Sequence, residues 1–541
     1  MVAAAYLAKS GLDVLVLERR AILGGAAITE ELYPGFKFSR ASYLAGLFRP
    51  QIIKDLELEK YGFEYIPRNP SSFTPSLLNG PYGGKSLFFW EDAQKTWDSI
   101  AQFSKKDADA FVEYENFLGK VRELIEPLLD GPPPDLTFRA GNAKERKRNV
   151  QQIYSLLKSA VKNRDILGQC YQLFTGPASQ ILDSWFESEI LKTTLATDAV
   201  IGGLLSPSQM GSAYVLLHHV MGEAAGKKGV WAYVKGGMGA LSGSIAASAR
   251  SAGAELRPNS FVKRILYDFD KTTGKQKASG VLLNDGTEIS SRVVLSNATP
   301  YHTFLELLPG LRDGAGPLPA DFQRQIRLTD YSCGALKINC AVDSLPNFAC
   351  LPNTSDKPGP QHHGTVHFEN FMEEIELAAR EAAMGIPATR PLIEMTVPSA
   401  LDSTLAPPGK HVVQLFVQFA PYKVNPNIGS WSDQTFKEQF VDRCFSIVDE
   451  YVPNFSSSVL YRDILSPLDL EYLLALHEGN IMHGALCLHQ LGYSRPAYNW
   501  HRYRSPLKGL YLCGSGAHPG GGVMGAAGKN CAFQVLSDLG L

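Results

Sequence analysis

Two kinds of residue in this 541-residue chain are placed to handle a phosphate-linked ligand: an acidic residue ending a buried strand, and glycines clustered where turns meet helices. Asp13-Val14-Leu15-Val16-Leu17 reads as a buried parallel strand that ends at Glu18. In dinucleotide-binding folds a carboxylate in that place accepts hydrogen bonds from the adenosine ribose, and a glycine turn seats the pyrophosphate on a helix N-terminus. Arg19 and Arg20 follow, then Gly24-Gly25-Ala26-Ala27, where two adjacent glycines let backbone approach a pyrophosphate with no Cβ in the way. Far along the chain, Gly514, Gly516, Gly520, Gly521, Gly522 and Gly525 put six glycines into twelve residues, running through Val523 and Met524 into a small-residue helix. A structural loop seldom needs so many unhindered N–H groups, whereas a helix N-terminus facing a flavin and its ribityl phosphate does.

His518 is the candidate acid or base beside that loop; it could exchange a proton near a bound ring or simply hydrogen-bond the loop backbone. Arg40, after the Gly35-Phe36 turn, suits a phosphate, the pyrimidine end of a flavin, or an ion pair. His218 and His219 stand among apolar residues and read as packed histidines. A flavin carries the hard chemical step itself, so no residue triad is required. The G-x-S-x-G, H-E-x-x-H and phosphate-loop patterns do not occur, and no metal-ligand set stands out. The eight cysteines are scattered with no C-x-x-C pair, which argues against a zinc site and a helix-borne redox dithiol. Cys333 and Cys340 come nearest, and the segment between them reads as a strand that holds them apart.

These residues call for a doubly wound, Rossmann-like α/β domain. Val2 to Leu7 is a run of small helix formers stopped by Ser10-Gly11, so helix and strand together are the back half of a βαβ unit. The first strand and its G-x-G-x-x-G turn would stand before Met1, and the strand would lie between Val14–Leu17 and Leu510–Leu512; without them the chain is expected to hold a dinucleotide poorly. A middle block continues the domain: Gly236-Gly237-Met238-Gly239 opens a helix, Gly253 stops it, and a strand from Phe261 to Ile265 brings the backbone of Val262 to the adenine. Asn284-Asp285-Gly286-Thr287 is a hairpin turn and Arg292 to Ala298 another buried strand. The expected organisation is discontinuous. Residues 1–72, 231–300 and 501–541 form the domain that binds flavin adenine dinucleotide (FAD), 73–230 a mostly helical cap, and 301–500 a mixed α+β substrate domain.

With 52 basic against 54 acidic side chains, the chain has no net field to attract nucleic acid. Its densest basic run, Lys144 to Arg148, is diluted by Glu145 and reads as a solvated helix face. No stretch reaches the roughly 18 apolar residues of a membrane-spanning helix. The first residues lack the basic start of a secretory signal.

In their order along the chain, Glu18-Arg19-Arg20 with Gly24-Gly25-Ala26-Ala27, the Gly236 block and the Tyr511 to Gly528 run resemble the phytoene desaturase and carotenoid isomerase branch of FAD-dependent oxidoreductases. The strings Pro34 to Leu44, Trp185 to Glu189, Ala196 to Gly202 and His218 to Gly222 are similar to an animal member of that branch. The resemblance implies FAD as cofactor, an oxidoreductase of the desaturase or dehydrogenase type acting on an apolar or conjugated small molecule, and a place in the mitochondrial matrix. Two other expectations stay open. One is a redox-neutral isomerase that uses reduced flavin; the other is a mitochondrial binding or regulatory protein that keeps the scaffold without turnover.

Overall fold

A computed structural model of the chain describes residues 1–135, 143–270, 275–308 and 316–541. Helix α1 (Val2–Lys9) is built from alanines and ends where Gly11 turns left-handed at φ 81°, and strand β1 (Leu15–Leu17) follows directly. Next come strands β2 (Ser72–Pro75) and β3 (Ser86–Phe89), then the helices α2 (Lys105–Leu129), α3 (Ala143–Lys162) and α4 (Ser212–Val220). Helix α5 (Met238–Ser251) leads into β4 (Glu255–Arg257), β5 (Val262–Asp270), β6 (Lys275–Leu283), β7 (Glu288–Ser290) and β8 (Val294–Ser296). The second half adds β9 (Leu336–Val342), β10 (Thr365–His367), β11 (Leu392–Thr396), β12 (His411–Gln418), helix α6 (Gln434–Tyr451), β13 (Val459–Leu465), β14 (Leu510–Leu512) and α7 (Ala526–Leu539).

Three separate stretches of chain meet in the dinucleotide-side lobe. Strand β1 pairs in parallel with β4, and β8 in parallel with β14; the two pairs are not hydrogen-bonded to each other. Both lie against α1, α5 and α7 in one apolar core that includes Leu7, Leu241, Ile245, Leu510 and Val535. The hairpin read at Asn284 to Thr287 joins β6 to β7, with Gly286 at φ 90°.

The second lobe is a seven-stranded sheet in the order β13-β9-β12-β11-β10-β2-β3, antiparallel except for β10 against β2. Two of its strands, β2 and β3, come from the region expected to be mostly helical, because Phe73 and Phe88 stack with ring centroids 4.6 Å apart and both face the sheet's apolar core. One face of the sheet presents Ile338, Cys340, Ile393, Met395, Val413 and Leu415, and α6 covers it with Phe440, Cys444 and Val448. Alternation of side chains along a strand puts the intervening residues on the opposite face. That face is buried as well, although it carries Lys337, Asn339, Glu394, Thr396, Gln414 and His367. Helices α2 and α4 pack in a third apolar core. On α3, Arg146, Lys147 and Arg148 are exposed, while Glu145 turns inward to Arg504 and Gln534, so these three form a solvated face beside one buried anchor.

Candidate functional site

A single cavity of about 2170 Å³ runs between the two lobes. At the dinucleotide end its wall includes Glu18, Arg19, Gly24, Gly25, Ala26, Val262, Gly514, Gly522 and Val523, together with residues of α1 and β8. The carboxylate of Glu18 accepts from the backbone N–H of Arg20 at 2.8 Å, which fixes it at the end of β1. Gly25, at φ 59°, has nothing within 4 Å of where a Cβ would stand, so a side chain there would enter the cavity. Gly514 borders the cavity with its missing Cβ turned toward the chain, since a Cβ there would lie 2.5 Å from the Asn297 carbonyl oxygen. An acidic strand end, a bare backbone wall and a parallel strand edge in one elongated chamber fit an adenine dinucleotide. Glu18 would hold the ribose, Gly25 and Gly514 would admit the pyrophosphate, and β5 at Val262 would border the adenine.

Other residues singled out from sequence lie outside the cavity wall. Arg40 donates to both oxygens of Asp463 at 3.1 Å and to Glu30 at 3.2 Å, so its charge is spent between lobes instead of on a phosphate. A Cβ on Gly516 would meet Pro300, and one on Gly521 would meet Met482; these glycines serve close chain packing. Gly520 takes φ 123° beside Arg495, and Met524 is buried in the cap core. The loop is pinned by the buried guanidinium of Arg495, which donates to the carbonyls of Met482 and, at 2.8 Å, Ser515. His518 hydrogen-bonds the Leu128 carbonyl at 2.8 Å, and burial pulls it down to about 4, so it is a neutral tie between loop and α2. His218 is likewise buried, against the Gly521 carbonyl at 3.2 Å. Its neighbour His219 does border the cavity.

At the sheet end the cavity wall is a row of four directly paired residues from four strands: Lys337 on β9, Phe416 on β12, Glu394 on β11 and His367 on β10. Tyr43 donates to Glu394 at 2.8 Å, and the Lys337 ammonium lies 4.2 Å above the Tyr43 ring. Burial pushes Glu394 up to about 7, reinforced by Asp198, which burial also raises to about 7. Burial draws Lys337 down to about 7 and His367 down to about 3. His367 Nδ1 stands 3.8 Å from Glu394, but a neutral imidazole makes this a contact and not an ion pair. Arg68 completes the cluster, donating to Thr365 at 2.7 Å and to the Trp231 carbonyl at 3.0 Å. In the adjacent row Asn339 and Gln414 bond each other and the Ser39-Arg40 backbone, so they tie the lobes together. The first row has no such backbone to satisfy it.

Sequence reading missed this row. Its signal was present as polar-apolar alternation in Leu392-Ile-Glu-Met-Thr396 and Leu336-Lys-Ile-Asn-Cys340, but alternation of that kind ordinarily marks a solvent face. Among the described residues no group of His, Cys, Asp and Glu is arranged to hold a metal ion, and no helix is long and apolar enough to cross a membrane.

Comparison with known proteins agrees with this geometry. The family described as NAD(P)-binding Rossmann-like domain matches residues 1–54, and the flavin containing amine oxidoreductase family matches residues 91–344. The chain is 48% identical over 545 residues to pyridine nucleotide-disulfide oxidoreductase domain-containing protein 2 of Rattus norvegicus, covering 100% of this chain and 92% of the relative. It is 26% identical to the lycopene-forming phytoene desaturase of Pseudescherichia vulneris, over 98% of this chain and 96% of the relative. Among solved structures, cyclohexylamine oxidase from Brevibacterium oxydans IH-35A superposes with a TM-score of 0.54 at 15% identity, covering 100% of this chain and 97% of that one, a likeness of fold. The scaffold is thus a Rossmann-like domain joined to an amine-oxidase-type domain, and its cofactor is FAD.

Proposed function

The chain belongs to the family of pyridine nucleotide-disulfide oxidoreductase domain-containing protein 2, and from that premise we propose that it is an FAD-dependent oxidoreductase of the desaturase or dehydrogenase type, acting on a small molecule with an apolar body. The observation that carries this reading is the single cavity joining Glu18, Gly25, Val262 and Gly514 at one end to Lys337, His367, Glu394 and Asp198 at the other. FAD, when bound, supplies the acceptor for a hydride or an electron pair. The chain supplies binding, orientation and protons. Glu18 and the glycine walls hold the dinucleotide; Leu44, Phe111, Ile201 and Trp231 exclude water along the chamber. At the sheet, His367 is neutral with Nδ1 unengaged, and Glu394 and Asp198 sit near half-protonation, so a proton lost from substrate at this face has an acceptor within the row.

The test is anaerobic mixing of FAD-saturated protein with a panel of apolar alcohols, ketones and polyenes. Bleaching of the visible flavin bands by one class is expected. A bound flavin that no member of the panel reduces, and that neither oxygen nor a quinone reoxidises after chemical reduction, would sink the turnover reading. The proposal extends to the mitochondrial matrix on the strength of the resemblance to the animal member. Protease protection in intact mitochondria, lost only when the inner membrane is opened, is the expected result; recovery in the cytosol would refute it.

A further inference from the structure

The polar row does more than hold protons. Lys337 Nζ, His367 Nδ1 and His483 Nδ1 are buried, have no hydrogen-bond partner among the described residues, and all belong to residues that border the cavity. Leaving such a group unsatisfied is costly, so the two that share the row, on Lys337 and His367, mark a place where a ligand's polar atoms complete the bonding. The charges facing this part of the chamber offset one another, Arg68 and Lys337 against Asp198 and Glu394, and with Lys337, Asp198 and Glu394 each near half-protonation no large net charge remains. A ligand bringing a further charge would leave it uncompensated at low dielectric, whereas a neutral oxygen adds none. The wall also carries the apolar residues Leu44, Phe89, Phe111, Ile201 and Trp231.

We propose that the substrate is amphipathic, with a neutral hydroxyl or carbonyl head held by Lys337, His367 and Glu394 and an apolar body lying along the chamber. The head accepts from the Lys337 ammonium, and a hydroxyl also donates to His367 Nδ1. Phe416, between Lys337 and Glu394 in the row, flanks the first carbons of the body. A pure hydrocarbon would leave both unpartnered nitrogens of the row, on Lys337 and His367, bare. A carboxylate or ammonium head would break the charge balance.

This inference rests on the reading of the cavity as a joint cofactor and substrate chamber, and the experiment separates the two. FAD-saturated full-length protein is titrated with 1-decanol, 2-decanone, decanoate and decylammonium at about pH 7, reading tryptophan fluorescence, since Trp90, Trp97 and Trp231 border the chamber. Decanol and decanone are expected to bind at least about tenfold more tightly than either charged probe. His367→Leu should cut that discrimination to within about threefold through the loss of one hydrogen bond, and Lys337→Met, which also removes a cation, should do so against decylammonium. Equal or tighter binding of decanoate or decylammonium by the unaltered protein overturns the proposal, with no variant needed. Full discrimination retained in folded variants also overturns it. Bound FAD is read separately from the visible spectrum: discrimination without FAD would refute the flavin reading alone, and FAD without discrimination would refute this inference alone.

Discussion

Where the cavity meets β1, β5 and the glycine loop its wall is backbone; where it meets the seven-stranded sheet its wall is charged side chain. The first end works by leaving atoms out. Gly25 offers open space, and Gly514 sits against a carbonyl. The second end works by keeping costly atoms in. Lys337, Glu394 and His367 are desolvated on a sheet whose other face is a tightly packed apolar core, Asp198 is desolvated on a short helical turn, and burial displaces each from its ordinary proton affinity. The difference teaches a division of labour. A cofactor that carries its own chemistry asks only for shape and a few hydrogen bonds, while control over the substrate's protons must come from the chain.

If that division holds, adding atoms at the first end has the largest effect. Gly25→Val is expected to raise the Kd for FAD more than about 100-fold, because a branched side chain fills the cavity and is also strained at positive φ. Gly62→Val is the control: Gly62 has φ 87° and open space around its Cβ position, but does not border the cavity. Its strain should lower stability and leave FAD affinity intact. Equal loss of FAD in both variants would assign the effect to strain and break the comparison.

Glu18→Ala comes next. Removing the carboxylate should cost about 2 kcal/mol of FAD binding, roughly 30-fold in Kd, as expected for hydrogen bonds to a charged acceptor. Affinity for flavin mononucleotide, which lacks the adenosine, should not change. A parallel loss for both flavins, measured by fluorescence quenching, would move Glu18 away from the ribose.

The same contrast explains how much could be read from the sequence. Glu18, Gly24, Gly25 and Gly514 sit in short local patterns, so strand, turn and glycine cluster announced that end of the cavity before any tertiary information. Spacing alone placed Gly521 and Met524 in the same cluster, but their neighbours Met482 and the cap core turn them toward packing. The row Lys337, Phe416, Glu394 and His367 is spread over four strands and joined only by sheet register. Nothing within ten residues of any member points to the others. Arg40 could not be assigned to its ion pair over a phosphate for the related reason that its partner, Asp463, lies more than 400 positions away.

At the substrate end, substitution should reshape the pH dependence of stability instead of abolishing binding. Burial raises Glu394 to about 7 from an ordinary 4.5, so between those values the folded chain holds a proton that the unfolded chain has released. Its contribution to stability therefore falls as pH rises through that window. Lys337 is drawn down to about 7 from 10.5, so from 7 to 10.5 the unfolded chain holds the extra proton and the contribution rises with pH. Glu394→Gln should flatten the fall between about pH 4.5 and 7, and Lys337→Met should flatten the rise above about pH 7. Urea unfolding at a series of pH values measures both. Unchanged slopes would show that these groups titrate as they do in water, and the contrast between the two ends would fail.

The smallest effect is expected at the cysteines, whose chemistry the name of the 48%-identical relatives invokes. All eight thiols are free. Cys333 and Cys340 are joined by a stretch that enters β9, and seven residues of near-extended chain span about 20 Å, against less than about 7 Å between the Cα atoms of a disulfide. Cys513 and Cys531 sense each other's charge, and Cys513 borders the cavity, so they are the pair best placed to exchange electrons with a flavin. Burial pushes Cys513 up to about 11, Cys340 up to about 12 and Cys531 well above its ordinary value. A thiol held protonated is a poor nucleophile, and although Lys337 and Arg462 beside Cys340 favour loss of its proton, burial outweighs them. Anaerobic reductive titration should then consume about two electrons per FAD, the flavin's own capacity, and not the roughly four of a flavin coupled to a disulfide. Cys513→Ala with Cys531→Ala should leave that stoichiometry unchanged. An uptake near four that falls to two in this double variant, with FAD still bound, would restore the disulfide and place catalytic side chains at the end of the cavity where backbone alone is now invoked.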